Sequence, residues 1–385
     1  MRRVVLVNRF FHPDHSATSQ MASDLAFHLA GTGWEVIAIT GRLLYEDASR
    51  IDEAKNVRGV RIVRIWTTRF GRHNLLGRAI DYATFYASAF FAILANTNPG
   101  DMVIAMTDPP LISVVAAAAA RIRRARLINW VQDLFPDVAI ALGMRIPKVL
   151  RSLRDWSLRQ AGANVAISER MSLRMPRAIV RENWAPGVLR PVDRATNSLR
   201  REWGLDDGFV VGYSGNLGRA HDAATIAGAI GMVRDAETQF LFVGAGAGMQ
   251  VMRETADRRV TFKPYQPVER LAESLSSADV HIVSVDRRLE GLILPSKFYG
   301  VLAVARPVIF IGDPDGEVAG IIDSHGCGMV VSSGDAAGLA AAIDELARDG
   351  DRCREMGERG RALYESRYDR SHALEAWNRL LERLS

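Results

Sequence analysis

Short apolar runs alternate with amphipathic helical patterns along most of the chain. The first apolar run covers residues 4–8, a helical pattern follows over 19–31, and a second apolar run covers 35–40. This strand–helix–strand order predicts a parallel sheet with right-handed crossovers. Because such sheets bind ligands at the carboxyl ends of their strands, we expect a binding site at the loop over residues 10–18.

The alternation is interrupted once, at residues 183–187, by the sequence NWAPG. The strands predicted before and after this break are 60–66, 101–106, 127–131 and 163–168, then 209–213, 240–243, 260–265, 280–285, 308–311 and 329–331. The chain has 385 residues, which is more than one ordinary core accommodates. The pattern therefore predicts an α/β protein with one parallel-sheet domain over residues 1–187 and a second over 188–364.

The composition is that of a globular protein, with 48% hydrophobic and 24% charged residues. Cys327 and Cys353 have neither disulfide-framework nor metal-ligand spacing, and no signal-peptide pattern follows Met1, so a cytoplasmic location is expected. The net charge of +5 favours an anionic partner: nucleic acid, a membrane surface or a phosphorylated substrate. No nucleic-acid recognition motif accompanies the charge, which disfavours the first of these.

The turn Pro295-Ser296-Lys297 precedes a small-residue helical pattern. A hydroxyl, an ammonium and the free N–H groups of a helix start together favour a bound phosphate. Only four of the 49 basic residues are lysines, and Lys263 and Lys297 both fall in the second domain. The alternative is structural, because proline and serine are common at helix starts and a lysine there is usually solvated.

Two strands of the second domain are expected to end in glycine turns. The strand at 209–213 continues into SGNLGR, and the strand at 240–243 continues into Gly244. Glycines let backbone N–H groups approach an anion, and Arg219 suits a diphosphate clamp. Lys263 and Tyr265, in the second half of the next predicted strand, are assigned to the same anion site. A purely structural turn is the alternative at each position.

Polar residues also follow strands of the first domain. The loop after the first strand carries His12, Asp14, His15, Ser16 and Thr18, and the next two candidates are Asp108 and Asp133. All are expected at the carboxyl edge of the sheet. Asp133 is placed where a catalytic carboxylate would lie, although a lone aspartate in a loop is more often a helix cap.

The segment 69–96 has basic residues at its start, including Arg72 and His73, and a strongly aromatic helical pattern. Such a helix can lie on a membrane surface or pack in the core, which is the commoner outcome. Asp81 argues against deep insertion. Two further basic clusters, 121–126 and 151–159, face either anionic lipid or water.

Four motifs together resemble the family 4 glycosyltransferases of the GT-B fold: NRFFHPDHSATSQ at 8–20, NWVQDLFPD at 129–137, GYSGNLGRAHD at 212–222 and GLILPSKFYGVLA at 291–303. The resemblance is strongest to the bacterial branch that includes the fucosyltransferases of colanic-acid and O-antigen synthesis. It implies two Rossmann-like doubly wound domains facing across a cleft, with a C-terminal helix, 365–385, returning to the first domain. It also implies a retaining transfer from a nucleotide diphosphate sugar, UDP- or GDP-linked, without a metal or other cofactor.

The resemblance also implies partners and residue roles. The acceptor would be a saccharide on a polyprenyl diphosphate, which makes the protein peripheral at the inner face of the plasma membrane. The expected catalytic residues are Asp133, Arg219, Lys297 and Glu290. The expected donor-binding residues are Ser214, Gly215, Asn216, Gly218, Arg219, Gly244, Lys263, Tyr265, Gly291, Pro295, Ser296 and Lys297. The expected acceptor-side residues are His12, Asp14, His15, Ser16, Thr18 and Asp108.

Two positions depart from the family pattern. The second of two family glutamates, which binds the ribose, is replaced by Gly300, and an N-terminal glycine pair is replaced by Asp14-His15-Ser16. Two other functions stay open. A nucleotide-sugar epimerase has the same architecture and would use groups such as His221 and Glu290 as acid and base. A non-catalytic subunit that keeps the fold as a scaffold is favoured by Gly300.

Overall fold

The computed structural model describes residues 2–45, 49–51, 55–71, 75–205 and 208–385. The chain divides into two compact units, Met1–Glu182 with Ala373–Ser385, and Asn183–His372. It therefore leaves the first unit shortly before residue 187, the boundary expected from the sequence. It rejoins that unit at Ala373, later than the expected residue 365.

The strands of the N-terminal unit are β1 Arg3–Val7, β2 Glu35–Thr40, β3 Asn56–Val57, β4 Val60–Arg64, β5 Met102–Ala105, β6 Arg126–Val131, β7 Ala163–Ala166 and β8 Ala178–Val180. They form one eight-stranded sheet in the order β3-β4-β2-β1-β5-β6-β7-β8. Every described pair is parallel except β3 with β4. The carboxyl ends of β1, β5 and β6 therefore lie side by side at one edge.

Helices cover both faces of this sheet. Their bounds before the second unit are α1 Ala17–Gly31, α2 Leu75–Asn96, α3 Ile112–Arg123, α4 Asp137–Ala141, α5 Lys148–Gln160 and α6 Glu169–Ser172. Phe85 and Ile93 of α2 share a core cluster with Val5 of β1. The alternate strand residues Val4 and Leu6 are also buried, as expected when a parallel sheet is covered on its second face.

The strands of the C-terminal unit are β9 Val210–Ser214, β10 Gln239–Val243, β11 Val260–Lys263, β12 Val280–Ser284, β13 Val308–Gly312 and β14 Gly328–Ser332. They form a six-stranded parallel sheet in the order β11-β10-β9-β12-β13-β14. The helices are α7 Ser198–Glu202, α8 Ala223–Ile230, α9 Gly248–Glu254, α10 Leu271–Ser276, α11 Lys297–Ala303, α12 Glu317–His325, α13 Ala336–Arg348 and α14 Gly350–Leu363. The predicted pair of Rossmann-like domains is confirmed.

The last helix, α15 Arg370–Leu384, returns to the N-terminal unit, as expected. Its Trp377 is fully buried and packs against Trp130 of β6, with ring centroids 4.6 Å apart. The indole N–H of Trp34 donates to Asn378 Oδ1 (2.7 Å). Burial of these two tryptophans stabilises the packing of α15 on the N-terminal unit through the hydrophobic effect.

Helix α2 begins at Leu75, later than the residue 69 that the aromatic pattern predicts. Residues 72–74, which include Arg72 and His73, lie outside the described residues. The described residues just before them, 67–71, are not helical. The predicted helix is therefore confirmed over most of its length. Among the described residues, the basic segment that was expected to begin the helix is not helical.

Asp81 explains the structure of this loop. The Asp81 carboxylate is buried and accepts hydrogen bonds from Thr68 Oγ1 (2.7 Å), Phe70 N–H (3.0 Å) and Gly71 N–H (3.1 Å). The charge therefore stabilises the loop and is absent from the exposed face of α2. The expectation that Asp81 argues against deep insertion of this helix stays a prediction.

Candidate functional site

The turn after β9, residues 214–219 (the β9 turn), brings exposed backbone to the carboxyl edge of the C-terminal sheet. Gly215 has a φ of 119°, in the region that favours glycine, and its N–H donates to Val243 O (2.8 Å). Gly244 lies so close that an added Cβ would be 3.0 Å from the Gly215 carbonyl carbon. Two glycines are therefore required for the strand ends to approach each other here.

Lys297 brings a cation to the β9 turn from a distant part of the sequence. Its Nζ donates to Asn216 O (3.1 Å) and lies over the Tyr213 ring, 5.3 Å from the centroid. Its stem passes so near Gly215 that an added Cβ there would be 2.6 Å from Lys297 Cε. Burial lowers the pKa of Lys297 to about 8, so the ammonium is still mostly charged at neutral pH.

His221 holds the same ammonium from the other side. The His221 Nε2 lies 3.1 Å from Lys297 Nζ, and the Nδ1 lies 2.6 Å from Ser284 O. Because a carbonyl oxygen only accepts, Nδ1 carries the proton and Nε2 accepts from the ammonium. Burial, followed by the charge of Lys297, lowers the pKa of His221 to about 4, so the ring is neutral at pH 7.

Arg219 and Tyr265 are exposed near this turn. The guanidinium of Arg219 forms no ion pair or side-chain hydrogen bond within the described part of the chain. Tyr265 lies beside Gly244, where an added Cβ would be 3.0 Å from Tyr265 Cε1. Lys263 has a different contact, since its Nζ lies over the Trp203 ring, 5.6 Å from the centroid.

Ser214 and Gly218 complete the β9 turn. Ser214 is the last residue of β9 and is half-buried. The carbonyl of Gly218 accepts the His221 N–H (3.1 Å), which directs the chain from the turn towards α8. These two residues therefore support the geometry that brings His221 to Lys297.

Glu290 accepts a hydrogen bond at the start of α12. Its Oε1 accepts the N–H of Glu317 (2.9 Å), the first residue of that helix. A carboxylate at a helix N-terminus is electrostatically favourable. Gly291 follows with a φ of 68°, which turns the chain after the glutamate. Glu290 therefore has a structural role in the C-terminal unit.

The turn before α11 contributes less than its sequence suggests. The Pro295 carbonyl accepts the Phe298 N–H (3.1 Å), and Ser296 is exposed without a side-chain cap hydrogen bond. Helix α11 has only seven residues. The positive charge at this place is therefore the ammonium of Lys297 and not the start of the helix.

Gly300 faces an apolar surface. An added Cβ would lie 3.5 Å from Leu275 Cδ1 and 3.8 Å from Leu189 Cδ1, and both leucines are buried. These distances are ordinary van der Waals contacts, and Gly300 is half-buried. No described side chain at this position takes the place of the second family glutamate.

Asp14 is an internal hydrogen-bond acceptor in the loop after β1. Its side chain is buried, its Oδ1 accepts the N–H (2.8 Å) and the hydroxyl (2.5 Å) of Ser16, and its Oδ2 accepts the Tyr45 N–H. The carboxylate therefore shapes the loop that leads into α1.

The other polar residues of this loop differ in exposure. His15 is exposed, and Thr18 is half-buried in the first turn of α1. The ring of His12 packs edge-on against Phe27, with centroids 5.6 Å apart. The backbone N–H of His12 donates to Ser23 Oγ (2.9 Å). Of the three, His15 is the most accessible to a ligand.

Asp133 and Asp108 follow the neighbouring strands β6 and β5 and interact electrostatically. Asp133 Oδ1 is buried without a hydrogen-bond partner among the described residues. Burial is the main cause that raises the pKa of Asp133 to about 7, and the charge of Asp108 raises it further. A hydrogen bond from Thr107 acts in the opposite direction and lowers this pKa. Asp133 therefore gains or loses a proton near neutral pH.

The same carboxyl lines an internal space, together with Asn129, whose Oδ1 is also buried and without a partner in the described structure, and Arg154. A carboxyl group in such surroundings suits proton transfer or the orientation of a polar ligand. Among the described residues, no group of three or more His, Cys, Asp and Glu side chains is arranged to hold a metal ion.

Two contacts were not predicted from the sequence. His221 was considered only as an acid–base candidate, and its contact with Lys297 joins residues far apart in the chain. Arg9, two residues after the end of β1, contacts the aromatic rings of Phe10 and Tyr82. In the sequence, only the position of Arg9 near the carboxyl end of a predicted strand could have indicated that it lies at the site.

Residues 208–349 match the family model described as "Glycosyl transferases group 1". A protein described as "Probable glycosyltransferase WbjE", of Pseudomonas aeruginosa, is 26% identical over 299 residues, which cover 72% of this chain and 74% of that protein. WcaI of Escherichia coli (strain K12), whose name refers to a colanic acid biosynthesis glycosyl transferase, is 24% identical over 254 residues, which cover 60% and 62%. The C-terminal unit is thus similar to group 1 glycosyltransferases, and most of the chain is similar to two bacterial proteins described as glycosyltransferases.

The fold is similar to that of solved structures over the whole chain. Sucrose-phosphate synthase from Thermosynechococcus elongatus matches with a TM-score of 0.82 at 17% identity, covering 100% of this chain and 99% of that one. Anabaena Alr3699/HepE in complex with UDP and glucose matches with a TM-score of 0.76 at 14% identity, covering 100% of both chains. At these identities the likeness shows the GT-B fold and nothing finer.

Proposed function

We propose that this chain, a group 1 glycosyltransferase by sequence similarity, transfers a sugar from a nucleotide diphosphate sugar to a saccharide acceptor with retained anomeric configuration. The observation that carries the proposal is the contact between the β9 turn and Lys297, whose ammonium lies 3.1 Å from Asn216 O. Glycines expose the backbone of the turn and a cation lies against it. A diphosphate is the ligand that such an arrangement favours.

The cations explain how the bond to the sugar would break. The leaving nucleoside diphosphate gains negative charge, which Lys297 and the exposed guanidinium of Arg219 stabilise. Neutral His221 keeps the ammonium in position. Attack on the same face, assisted by the leaving phosphate, gives retention without a protein nucleophile. Metal-independent transfer of a hexose is therefore the mechanism we propose.

The proposed donor is linked to UDP or GDP. HepE, which has the same fold, has been solved with UDP and glucose and with UDP-glucose. The similarity to WcaI favours a role in surface polysaccharide synthesis. A fucosyl donor is the more specific hypothesis, and it rests on the motif resemblance.

Asp133 is the proposed proton acceptor or orienting group on the acceptor side. Its pKa near 7 allows it to accept a proton from an attacking hydroxyl at neutral pH. Asp108 follows the neighbouring strand and raises that pKa by its charge. The two carboxyl groups therefore form the acidic part of the N-terminal site.

The acceptor is proposed to be lipid-linked, with the protein peripheral at the inner face of the plasma membrane. Within the described residues, no helix is long and apolar enough to cross a bilayer. Helix α2 has an exposed apolar stripe at helical spacing, formed by Leu76, Ile80, Ala83, Ala87 and Phe91. Since the charge of Asp81 is buried, this stripe can lie in a lipid interface.

Binding to vesicles tests the membrane part of the proposal. Full-length protein should sediment more with anionic than with neutral vesicles at low salt. Phe91→Ser should weaken this binding, whereas Val251→Ser, which changes an exposed apolar residue of the C-terminal unit, should not. Equal sedimentation with both lipids, or equal effects of the two variants, would contradict membrane contact through α2.

The epimerase alternative is less well supported than transfer. For an epimerase, His221 and Glu290 would need to be available as acid and base. His221 instead binds Ser284 and Lys297, and Glu290 accepts the Glu317 N–H. A non-catalytic scaffold, which Gly300 favours, would bind a nucleotide sugar without turnover or not at all.

A thermal-shift screen with nucleoside diphosphates and their sugars tests the donor site. A ligand at a hundred times its Kd stabilises the native state by about 2.7 kcal/mol, which gives a measurable rise in Tm. We expect UDP or GDP to raise the Tm of the wild type and to have little effect on Lys297→Met. No rise with any nucleoside diphosphate would contradict the proposed function.

A further inference from the structure

Arg9 is a cation that contacts two aromatic rings near the carboxyl end of β1. Its guanidinium carbon lies 5.3 Å from the ring centroid of Phe10 and 5.1 Å from that of Tyr82. Phe10 is the next residue, and Tyr82 comes from α2, so the two rings belong to different elements. Cation–π contact with two rings restricts the position of the guanidinium.

The backbone of Arg9 is fixed at the same edge of the sheet. Its N–H donates to Asp108 O (2.7 Å), and its carbonyl accepts Gly41 N–H (2.9 Å) and Thr40 Oγ1 (3.0 Å). These partners follow β5 and β2, the two strands that flank β1. The cation therefore has a rigid base beside the loops that carry the acceptor-side residues.

The Arg9 guanidinium forms no ion pair and no side-chain hydrogen bond with the described residues. The Asp14 carboxylate of the same loop is already bound by Ser16 and the Tyr45 N–H. An arginine whose N–H groups have no partner among the described residues is suited to an external anion.

We propose that Arg9 is the binding residue for an oxyanion of the acceptor, a phosphate or a carboxylate, held by paired N–H donors of the guanidinium. A planar fork matches both anions. The identification of the ligand as the acceptor rests on the proposed function. The anion site itself does not, because its geometry lies within the N-terminal unit and needs nothing from the β9 turn.

Isothermal titration of the full-length protein tests the site with two probes, pyrophosphate and methyl glucuronoside. Pyrophosphate is expected to bind also at the β9 turn, so the comparison uses Lys297→Met as background. In that background, adding Arg9→Gln should weaken at least one probe by tenfold or more. Loss of pyrophosphate binding identifies a phosphate ligand, and loss of glucuronoside binding identifies a carboxylate ligand.

Three further variants make the result specific. Arg58→Gln is the matched control, since Arg58 also stacks on one ring, that of Phe27 at 5.1 Å, and it should leave binding unchanged. Tyr82→Leu and Arg9→Lys should each weaken binding severalfold, because the first removes a stacking ring and the second removes the fork. Equal melting temperatures of the variants exclude unfolding as the cause.

Two results would overturn the proposal: binding of both probes that is unaffected by Arg9→Gln, or full affinity in Arg9→Lys. A failure of the proposed function gives a different result. In that case Lys297→Met would bind pyrophosphate as tightly as the wild type does, while Arg9→Gln would still weaken binding of the probe.

Discussion

The ammonium of Lys297 lies 3.1 Å from Nε2 of His221, although 76 positions separate the two residues in the sequence. His221 donates its one ring N–H, at Nδ1, to Ser284 O at 2.6 Å, which leaves Nε2 as an acceptor. A neutral histidine thus supports a lysine at the glycine turn without neutralising it. The cation remains available to an incoming diphosphate.

Replacing His221 should reduce transfer through Lys297. His221→Leu removes the acceptor, and the loss of a hydrogen bond to a charged group costs about 1.5–3 kcal/mol, or roughly tenfold to a hundredfold in kcat/KM for the donor. His221→Gln can place an amide oxygen near the position of Nε2 and should recover part of the loss. Equal activity of the two variants would mean that the ring acts only by filling space.

The pH dependence of donor binding should report the pKa of Lys297. That pKa is lowered to about 8 by burial, so the ammonium loses its proton as the pH rises through 8. The affinity for a nucleoside diphosphate should therefore decrease above pH 8, as measured by titration calorimetry. In Lys297→Met the affinity should be low at every pH. An affinity that stays constant to pH 9.5 in the wild type would contradict a cationic role for this lysine.

The two domains and most elements follow from the sequence, because buried parallel strands are continuous apolar runs and their helices are periodic. The start of α2 was predicted too early because the partners of Asp81 lie in the preceding loop. The side-chain contacts of the site were less accessible. Nothing local indicates that Glu290 meets the start of α12, or that Gly300 faces leucines. These contacts depend on tertiary packing between distant segments.

Gly215 is the residue at which an added methyl group should do most harm. Its φ of 119° is strained for any other residue, and an added Cβ would lie 2.6 Å from Lys297 Cε. Gly215→Ala should cost roughly 1–3 kcal/mol in the free energy of unfolding and displace the lysine from the turn. Chemical denaturation and nucleotide titration measure the two effects.

Gly231→Ala is the matched control for this variant. Gly231 ends α8 with a φ of −73°, and an added Cβ there has no atom within 4 Å. It should leave both stability and nucleotide binding close to the wild type. If Gly215→Ala behaved in the same way, the tight contact at the β9 turn would be refuted.

Asp133 should make folding stability depend on pH. Its pKa is raised from 3.8 to about 7 in the native state, mainly by burial, so the native state keeps a proton that the unfolded state releases. The free energy of unfolding should therefore decrease as the pH rises from about 4 to 7, by at most about 1.4 kcal/mol per pH unit. Asp133→Asn cannot ionise and should escape this loss.

Denaturation of both proteins at several pH values checks this prediction. The variant should match the wild type near pH 4, become relatively more stable up to pH 7, and keep a constant advantage above it. Turnover should nevertheless fall, because an amide cannot accept the proton. A difference in stability that does not change with pH would show that Asp133 has an ordinary pKa.

The central claim is the transfer of a sugar from a nucleotide diphosphate sugar with the help of Lys297. Mass spectrometry of a bacterial lipid extract incubated with the protein and a pool of UDP- and GDP-sugars tests it most directly. We predict a lipid-linked saccharide heavier by one glycosyl residue and an equal amount of nucleoside diphosphate. With Lys297→Met this product should decrease about a hundredfold or more, since a group that stabilises transition-state charge is lost. An isomerised nucleotide sugar without an acceptor product, or the same yield from Lys297→Met, would contradict the account.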